Sequence, residues 1–298
     1  YFQTPYWIEI LCSVFGHFRN QSVMLTDKSG PSVLLPLVEN RKAPGLSTCL
    51  SLPYGTHGGP IPEKGSCNFR WDLVREYLNG QKYSAIHLTL PSGCEPPQWE
   101  DYQRSEAETH LLDLPVGFEN IQSGFSSNCR WSIRKAQRSG VVVELLKDRS
   151  CIPEYLHLYD LSIKRWKERE AYPPKLFEVL WQSPGVRFWG ARLDGKLVAA
   201  AVILCWRKTQ YYWLGAMDHE VQQFKPTNLL LSNIIEDACQ QGYEIFDMGS
   251  SGGLAGVEHF KQSFGPRRSC YTQLLWTGSL VKGYHQIRSL LQRGRRKS

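Results

Sequence analysis

TQYYWLGAMDHEVQQFKPTNLLLSNIIEDACQQGYEIFD, residues 209–247, is the stretch that decides the fold. Its aromatic opening, residues 209–217, suits a strand, because large flat side chains pack well on a pleated surface. A polar loop follows, and then Leu230, Leu231, Ile234, Ile235 and Ala238 recur at helical spacing until Gly242 stops the helix. Pro226 stands before Thr227, which reads as the N-cap. The free N–H groups from Asn228 to Leu230, with Lys225 nearby, favour an anion by roughly 0.5–2 kcal/mol. The closing EIFDM, residues 244–248, is a second short strand.

Working outward, residues 126–278 give a strand VVVELL, a helix from Pro153 to Glu170, a helix PPKLFEVLWQS, and a hairpin of VRFWGARL and LVAAAVILCW joined by DGK. The 209–247 stretch, a glycine-rich segment and a last strand CYTQLLW complete it. The first half follows the same plan. A helix opened by Thr4 and Pro5 leads to strands SVMLT and SVLLPLV around the turn DKSG, a strand LSTCLSL, a loop, a helix from Asn68 to Leu78 and a strand SAIHLTL. The order β-α-α-β-β-β-α-β-α-β of the second half is that of the N-acetyltransferase (GNAT) fold. In that fold two central parallel strands splay apart, here TQYYWLGAM and EIFDM, and leave unpaired backbone groups and a helix N-terminus to receive a phosphate-bearing ligand. The expected class is α/β with mixed sheets, as two tandem GNAT-like domains at 1–125 and 126–278 and a basic helix or tail at 279–298.

Composition fits that division. At 298 residues and 42% apolar, the chain can fill two ordinary cores. The longest apolar run, Leu197–Trp206, is far short of the ~20 residues of a membrane helix and suits a buried strand. The opening YFQTPYWIEI has no basic leader or apolar signal core, and its first three residues match the end of a cleavable tag. Nine cysteines form no C-x-x-C pair, which reads as reduced thiols in a cytoplasmic protein without a metal site. Of the net charge of +7, six charges fall in residues 282–298, which contain no acid. Such a tail is either a solvated terminus or a contact for RNA, a polyanionic substrate or an anionic membrane surface.

Chemistry-bearing residues gather in FDMGSSGGLAGVEHFKQSFG, residues 246–265, with five glycines and a single lysine. Lys261, between Phe260 and Phe264, would hold a point charge against aromatic surface, able to stabilise an oxyanion or grip a phosphate; a plain surface lysine is the other reading. Asp247, late in an apolar strand, either bonds backbone N–H groups or takes a proton from a substrate amine. Ser250, Ser251 and His259 read as donor contacts or as capping groups of a tight connection. In SGFSSNCRWSIRKAQRSG, Arg130, Arg134 and Arg138 fall at i, i+4 and i+8 and form one basic stripe, solvated or facing donor phosphates. The loop SLPYGTHGGPIPE offers Tyr54 and His57 as an acceptor-binding lip or as an ordinary turn.

Five segments in order, TPYWIEILCSVFGH, LSLPYGTHGGPI, RWSIRKAQRSGV, NLLLSNIIEDACQQGYEIFDMGSS and EHFKQSFG, resemble the FemAB-like branch of the GNAT superfamily. The likeness spans nearly the whole chain and is nearest to the FemAB-related proteins that accompany exopolysaccharide and protein-sorting systems in Gram-negative bacteria. It implies a transferase that moves an acyl or aminoacyl group to an amine, with acyl-CoA or aminoacyl-tRNA as co-substrate and no tightly bound cofactor. The acceptor it implies is a small molecule or a cell-envelope precursor of peptidoglycan or polysaccharide type. The family's Phe-Lys pair, which meets the acyl end of the donor, falls on Phe260 and Lys261. Lys225, Thr227, Asn228, Ser250 and Arg134 become donor-binding candidates, Tyr54 and His57 acceptor-binding ones, and Lys261 and Asp247 catalytic ones. Two features depart from the pattern: QQFKPT stands where acetyl-CoA enzymes carry Q/R-x-x-G-x-G/A, and the helical-hairpin arm of some tRNA-using members is missing. The competing classes are a non-catalytic binding module for a polysaccharide or lipid-linked precursor, and a nucleic-acid-binding protein resting on the basic tail and stripe.

Overall fold

The computed structural model describes residues 1–27, 30–43, 46–54, 59–62, 70–165 and 170–278. His57 and the basic segment 279–298 lie outside the described residues. The chain forms two compact units, one of Phe2–Ala107 with the described residues from Cys270 on, the other of Glu108–Ser269 with Tyr1.

The first unit opens with α1 (Pro5–Val14), whose first turn is capped as its sequence predicts: the Thr4 hydroxyl accepts the Trp7 N–H at 3.4 Å. There follow β1 (Phe18–Asn20), β2 (Val23–Asp27), β3 (Gly30–Leu35), β4 (Val38–Ala43), β5 (Leu46–Leu50), β6 (Ile61–Pro62), α2 (Trp71–Asn79) and β7 (Ala85–Thr89). The segment SVLLPLV is two strands rather than one. Pro36 has no N–H to give to a ladder, so β3 ends before it and β4 starts after it in another sheet. The hairpin of β2 and β3 therefore stands with β6 in a three-stranded sheet, and β1 and β4 are the antiparallel neighbours beside β5. β5 and β7 run parallel, with α2 in the connection between them.

β8 (Gln103–Asp113) leads from the first unit into the second, which continues with α3 (Phe118–Ser123), α4 (Ser127–Arg138), β9 (Val142–Leu146), α5 (Ile152–Arg165), α6 (Pro174–Trp181), β10 (Val186–Leu193), β11 (Lys196–Trp206), β12 (Thr209–Met217), α7 (Pro226–Gln240), β13 (Ile245–Asp247) and α8 (Ala255–Gln262). β14 (Arg267–Thr277) then leads back, and its later residues pair antiparallel with β7 of the first unit. From β9 to β14 the order of helices and strands is the one expected from the sequence. Sheet order in the second unit is β8-β13-β12-β11-β10-β9, with β12 and β13 its parallel pair. β11 is buried over nine consecutive residues, Leu197–Cys205, because helices cover both faces of the sheet. Leu229, Leu230, Ile234 and Ile235 of α7 join Ile133 and Ala136 of α4 in the core on one face. An aromatic cluster of Tyr155, Tyr159, Phe177 and Phe188 fills the other, with ring centroids 4.7–5.1 Å apart.

Candidate active site

β12 and β13 pair only at Thr209–Ile245, Gln210–Phe246 and Tyr211–Asp247. β13 ends there, while β12 runs on for six residues to Met217. The second strand is lost because Gly249, at φ +74°, turns the chain away in a backbone conformation that a side chain would strain. Trp213 is the extra residue of a bulge against β11, where the register steps from Ile203–Tyr212 to Val202–Leu214. Beyond the bulge the Met217 N–H bonds the Ser162 hydroxyl at 3.2 Å and the Asp218 N–H bonds the Val198 carbonyl at 2.9 Å. Alternation along an antiparallel ladder then turns the N–H and C=O of Gly215 into the gap. The result is a cavity of about 520 Å³, walled by Tyr211–Met217, by Lys225, Thr227 and Asn228 at the start of α7, by Gly249–Ser251, and by Phe260 and Lys261 of α8.

Lys261 is 5% exposed. Its ammonium donates to the carbonyls of Gly249 at 3.0 Å and Ser250 at 2.9 Å, and it sits in the last turn of α8, where the helix dipole favours a cation. Those contacts offset the cost of burying a charge. Phe260 borders the cavity and packs edge-on against Phe264, which meets Phe125 in the same way, so α8 is anchored by a row of rings.

The start of α7 differs in detail from its sequence reading. The helix begins at Pro226, whose ring suits the first helical position, and Lys225 occupies the capping position in a left-handed conformation, φ 58° and ψ 37°, with no side-chain cap. Thr227 is therefore inside the helix; its hydroxyl donates to the Met217 sulfur at 3.0 Å. The Asn228 N–H bonds the Lys225 carbonyl at 3.2 Å, so it is not the free donor that the N-cap reading supplies. All three side chains still line the cavity.

Other predicted residues divide. Ser250 lines the cavity, and its hydroxyl oxygen accepts the Gly252 N–H at 3.2 Å. Asp247 is buried behind the wall: its Oδ1 accepts the Thr109 hydroxyl and, at 2.8 Å, the Gly249 N–H, which fits the structural alternative. No carboxylate lines the cavity among the described residues. Arg134 is exposed on α4 and outside the cavity wall, and of its stripe Arg130 bonds the Ser123 and Phe125 carbonyls. His259 is exposed. Tyr54 belongs to the first unit, packed on Phe15 and Phe18 with centroids at 5.4 and 6.0 Å.

Sequence reasoning missed the strand's own contribution. Tyr211, Tyr212 and Trp213 all line the cavity, next to the bulge against β11, and nothing in the sequence marks a bulge. Tyr212 lies over Gly215, where a Cβ would stand 1.9 Å from its hydroxyl oxygen, and burial pushes its pKa up to about 12. Among the described residues no three His, Cys, Asp or Glu side chains are grouped to hold a metal, and no helix is long and apolar enough to cross a membrane.

Comparison with known proteins adds to this geometry. Residues 123–262 match the family described as the acetyltransferase (GNAT) domain. The crystal structure of FemX superposes with a TM-score of 0.66 over 91% of each chain at 14% identity. L-PGS from Bacillus licheniformis gives 0.59 over 92% of each chain at 15% identity, and the C-terminal DUF2156 domain of a candidate lysylphosphatidylglycerol synthetase from Agrobacterium fabrum gives 0.62 over 95% of each at 15%. No curated protein matches the chain in sequence. Residues 123–262 thus carry the match to the acetyltransferase (GNAT) domain, and in fold the chain resembles FemX over most of its length.

Proposed function

We propose that the protein is an N-acyltransferase that carries an acyl or aminoacyl group from acyl-CoA or aminoacyl-tRNA to an amine of a small molecule or a cell-envelope precursor. The observation that carries this reading is the parting of β12 and β13 beyond Tyr211 and Asp247, which opens a cavity with one buried ammonium, Lys261, in its wall. A donor laid in the gap meets the polar backbone of Gly215 on one side and the loop clamped by Lys261 on the other. The amine lone pair attacks the acyl carbon, the carbonyl π pair moves to oxygen, and the positive charge of Lys261 stabilises the oxyanion. Collapse breaks the C–S or C–O bond, and the proton shed by nitrogen goes to the leaving thiolate or alkoxide directly or through water. Of the two proton acceptors open from the sequence, a carboxylate or water, water is the one proposed here, since Asp247 accepts from the Thr109 hydroxyl and the Gly249 N–H behind the wall. Lys225, Thr227 and Asn228 suit the distal part of the donor, and Arg134, exposed outside the cavity, is placed to meet only a donor that extends beyond it, such as tRNA.

The bonds of Lys261 to two carbonyls favour one other reading, a binding module in which the lysine only shapes the loop. Transfer assays with labelled acetyl-CoA and alanyl-tRNA over a panel of amines separate the two. Lys261→Ala lowers turnover by about 10²-fold in an enzyme, whereas a wild-type protein that transfers nothing from either donor is a binding module. Arg134→Ala weakens transfer from alanyl-tRNA and leaves transfer from acetyl-CoA unchanged.

A further inference from the structure

The loop from β13 to α8 keeps one polar group in reserve. Ser251 is 7% exposed, lines the cavity, and has a hydroxyl with no hydrogen-bond partner among the described residues. Buried hydroxyls are nearly always bonded, so an unmet one beside a cavity points to a group that arrives from outside the chain. The surrounding loop is fixed: Lys261 holds the carbonyls of Gly249 and Ser250, the Ser250 hydroxyl oxygen holds the Gly252 N–H, and the Ser251 carbonyl accepts the Leu254 N–H at 3.1 Å. A rigid frame thus carries an unmet O–H in a buried residue that lines the cavity.

Resting on the transferase reading above, we propose that the Ser251 hydroxyl is a catalytic residue that donates a hydrogen bond to the acyl carbonyl oxygen of the donor. As the amine adds, the carbonyl π pair becomes an oxyanion, the O–H···O contact strengthens, and the hydroxyl keeps its proton throughout. Serine is not the nucleophile. No base partners its oxygen among the described residues, so no acyl-enzyme forms and the acyl group passes straight to nitrogen. The pairing divides the work: the ammonium of Lys261 fixes the loop and supplies charge, and Ser251 makes the directional contact.

The test compares wild type, Ser251→Ala and Ser251→Thr in thermal melts without ligand and in single-turnover transfer from acetyl-CoA and alanyl-tRNA. Loss of one preorganised donor predicts a fall of about 10²-fold in the rate of transfer for Ser251→Ala, a melting temperature equal to or above wild type, and recovery of most activity in Ser251→Thr. Wild-type transfer with an equally fast Ser251→Ala overturns this proposal alone. A lowered melting temperature for Ser251→Ala overturns it too, because the hydroxyl then has a structural partner. A wild type inert with both donors overturns the transferase reading and this one with it.

Discussion

Gly249 is the residue on which the site turns. It sits at φ +74° two residues after the last parallel pair, gives its carbonyl to Lys261, and lies so close to β12 that an added Cβ would stand 2.7 Å from the Tyr211 hydroxyl oxygen. Gly249→Ala is expected to cost about 1–3 kcal/mol from backbone strain alone, read as a lower denaturation midpoint, together with a loss of transfer. At this scale the sequence was informative about identity and poor on orientation. Lys261 stands out as the lone cation between phenylalanines, while the sequence offers Ser250 rather than Ser251 as the donor-binding serine. Only the burial of one hydroxyl and the hydrogen bond of the other separate the two serines, and both depend on how the loop folds.

At the scale of elements, the strand–helix–strand unit β12–α7–β13 is legible because each part carries its own local signal: aromatic strand, periodic helix, glycine stop. The helix also lines the gap with residues of its first turn, Thr227 and Asn228. Ile234 and Ile235 are fully buried and lock α7 to the core on one face of the sheet. Ile234→Ala should lower stability by about 2–5 kcal/mol, measured by urea titration, with transfer at low temperature reduced less than for Gly249→Ala because no cavity wall is altered. The start of α7 differs from the Thr227 cap that the sequence suggests because threonine and proline are both start signals; proline at the first helical position pushes the cap back to Lys225. The bulge at Trp213 was invisible, since it arises from pairing with β11 rather than from local sequence.

Across the molecule, the repeated plan was readable in outline and not in its connections. Pro36 divides what looked like one strand, and β14 returns to pair with β7, a contact between residues nearly two hundred positions apart that no local pattern reports. Electrostatics show the same dependence on tertiary partners. Arg41 and the Ser47 hydroxyl hold the buried Glu39 carboxyl below its ordinary pKa of 4.5, and Arg267 and Arg192 do the same for Asp113 and Glu154. A depressed carboxylate pKa stabilises the fold fully above the ordinary value, and that contribution is lost as pH falls through the folded value. The melting temperature should therefore fall below about pH 4.5. Glu39→Gln should cost about 1–3 kcal/mol at neutral pH and progressively less in acid.

The most direct test is native mass spectrometry of wild type and Gly215→Val with acetyl-CoA, a long-chain acyl-CoA and alanyl-tRNA. Valine at 215 would collide with Tyr212, whose hydroxyl oxygen stands 1.9 Å from the added Cβ, and so disturb the cavity wall that both residues form. The account predicts that wild type retains at least one donor and that the folded variant, checked by circular dichroism, retains none. Equal retention by both proteins, or by neither, would contradict the gap as the donor site.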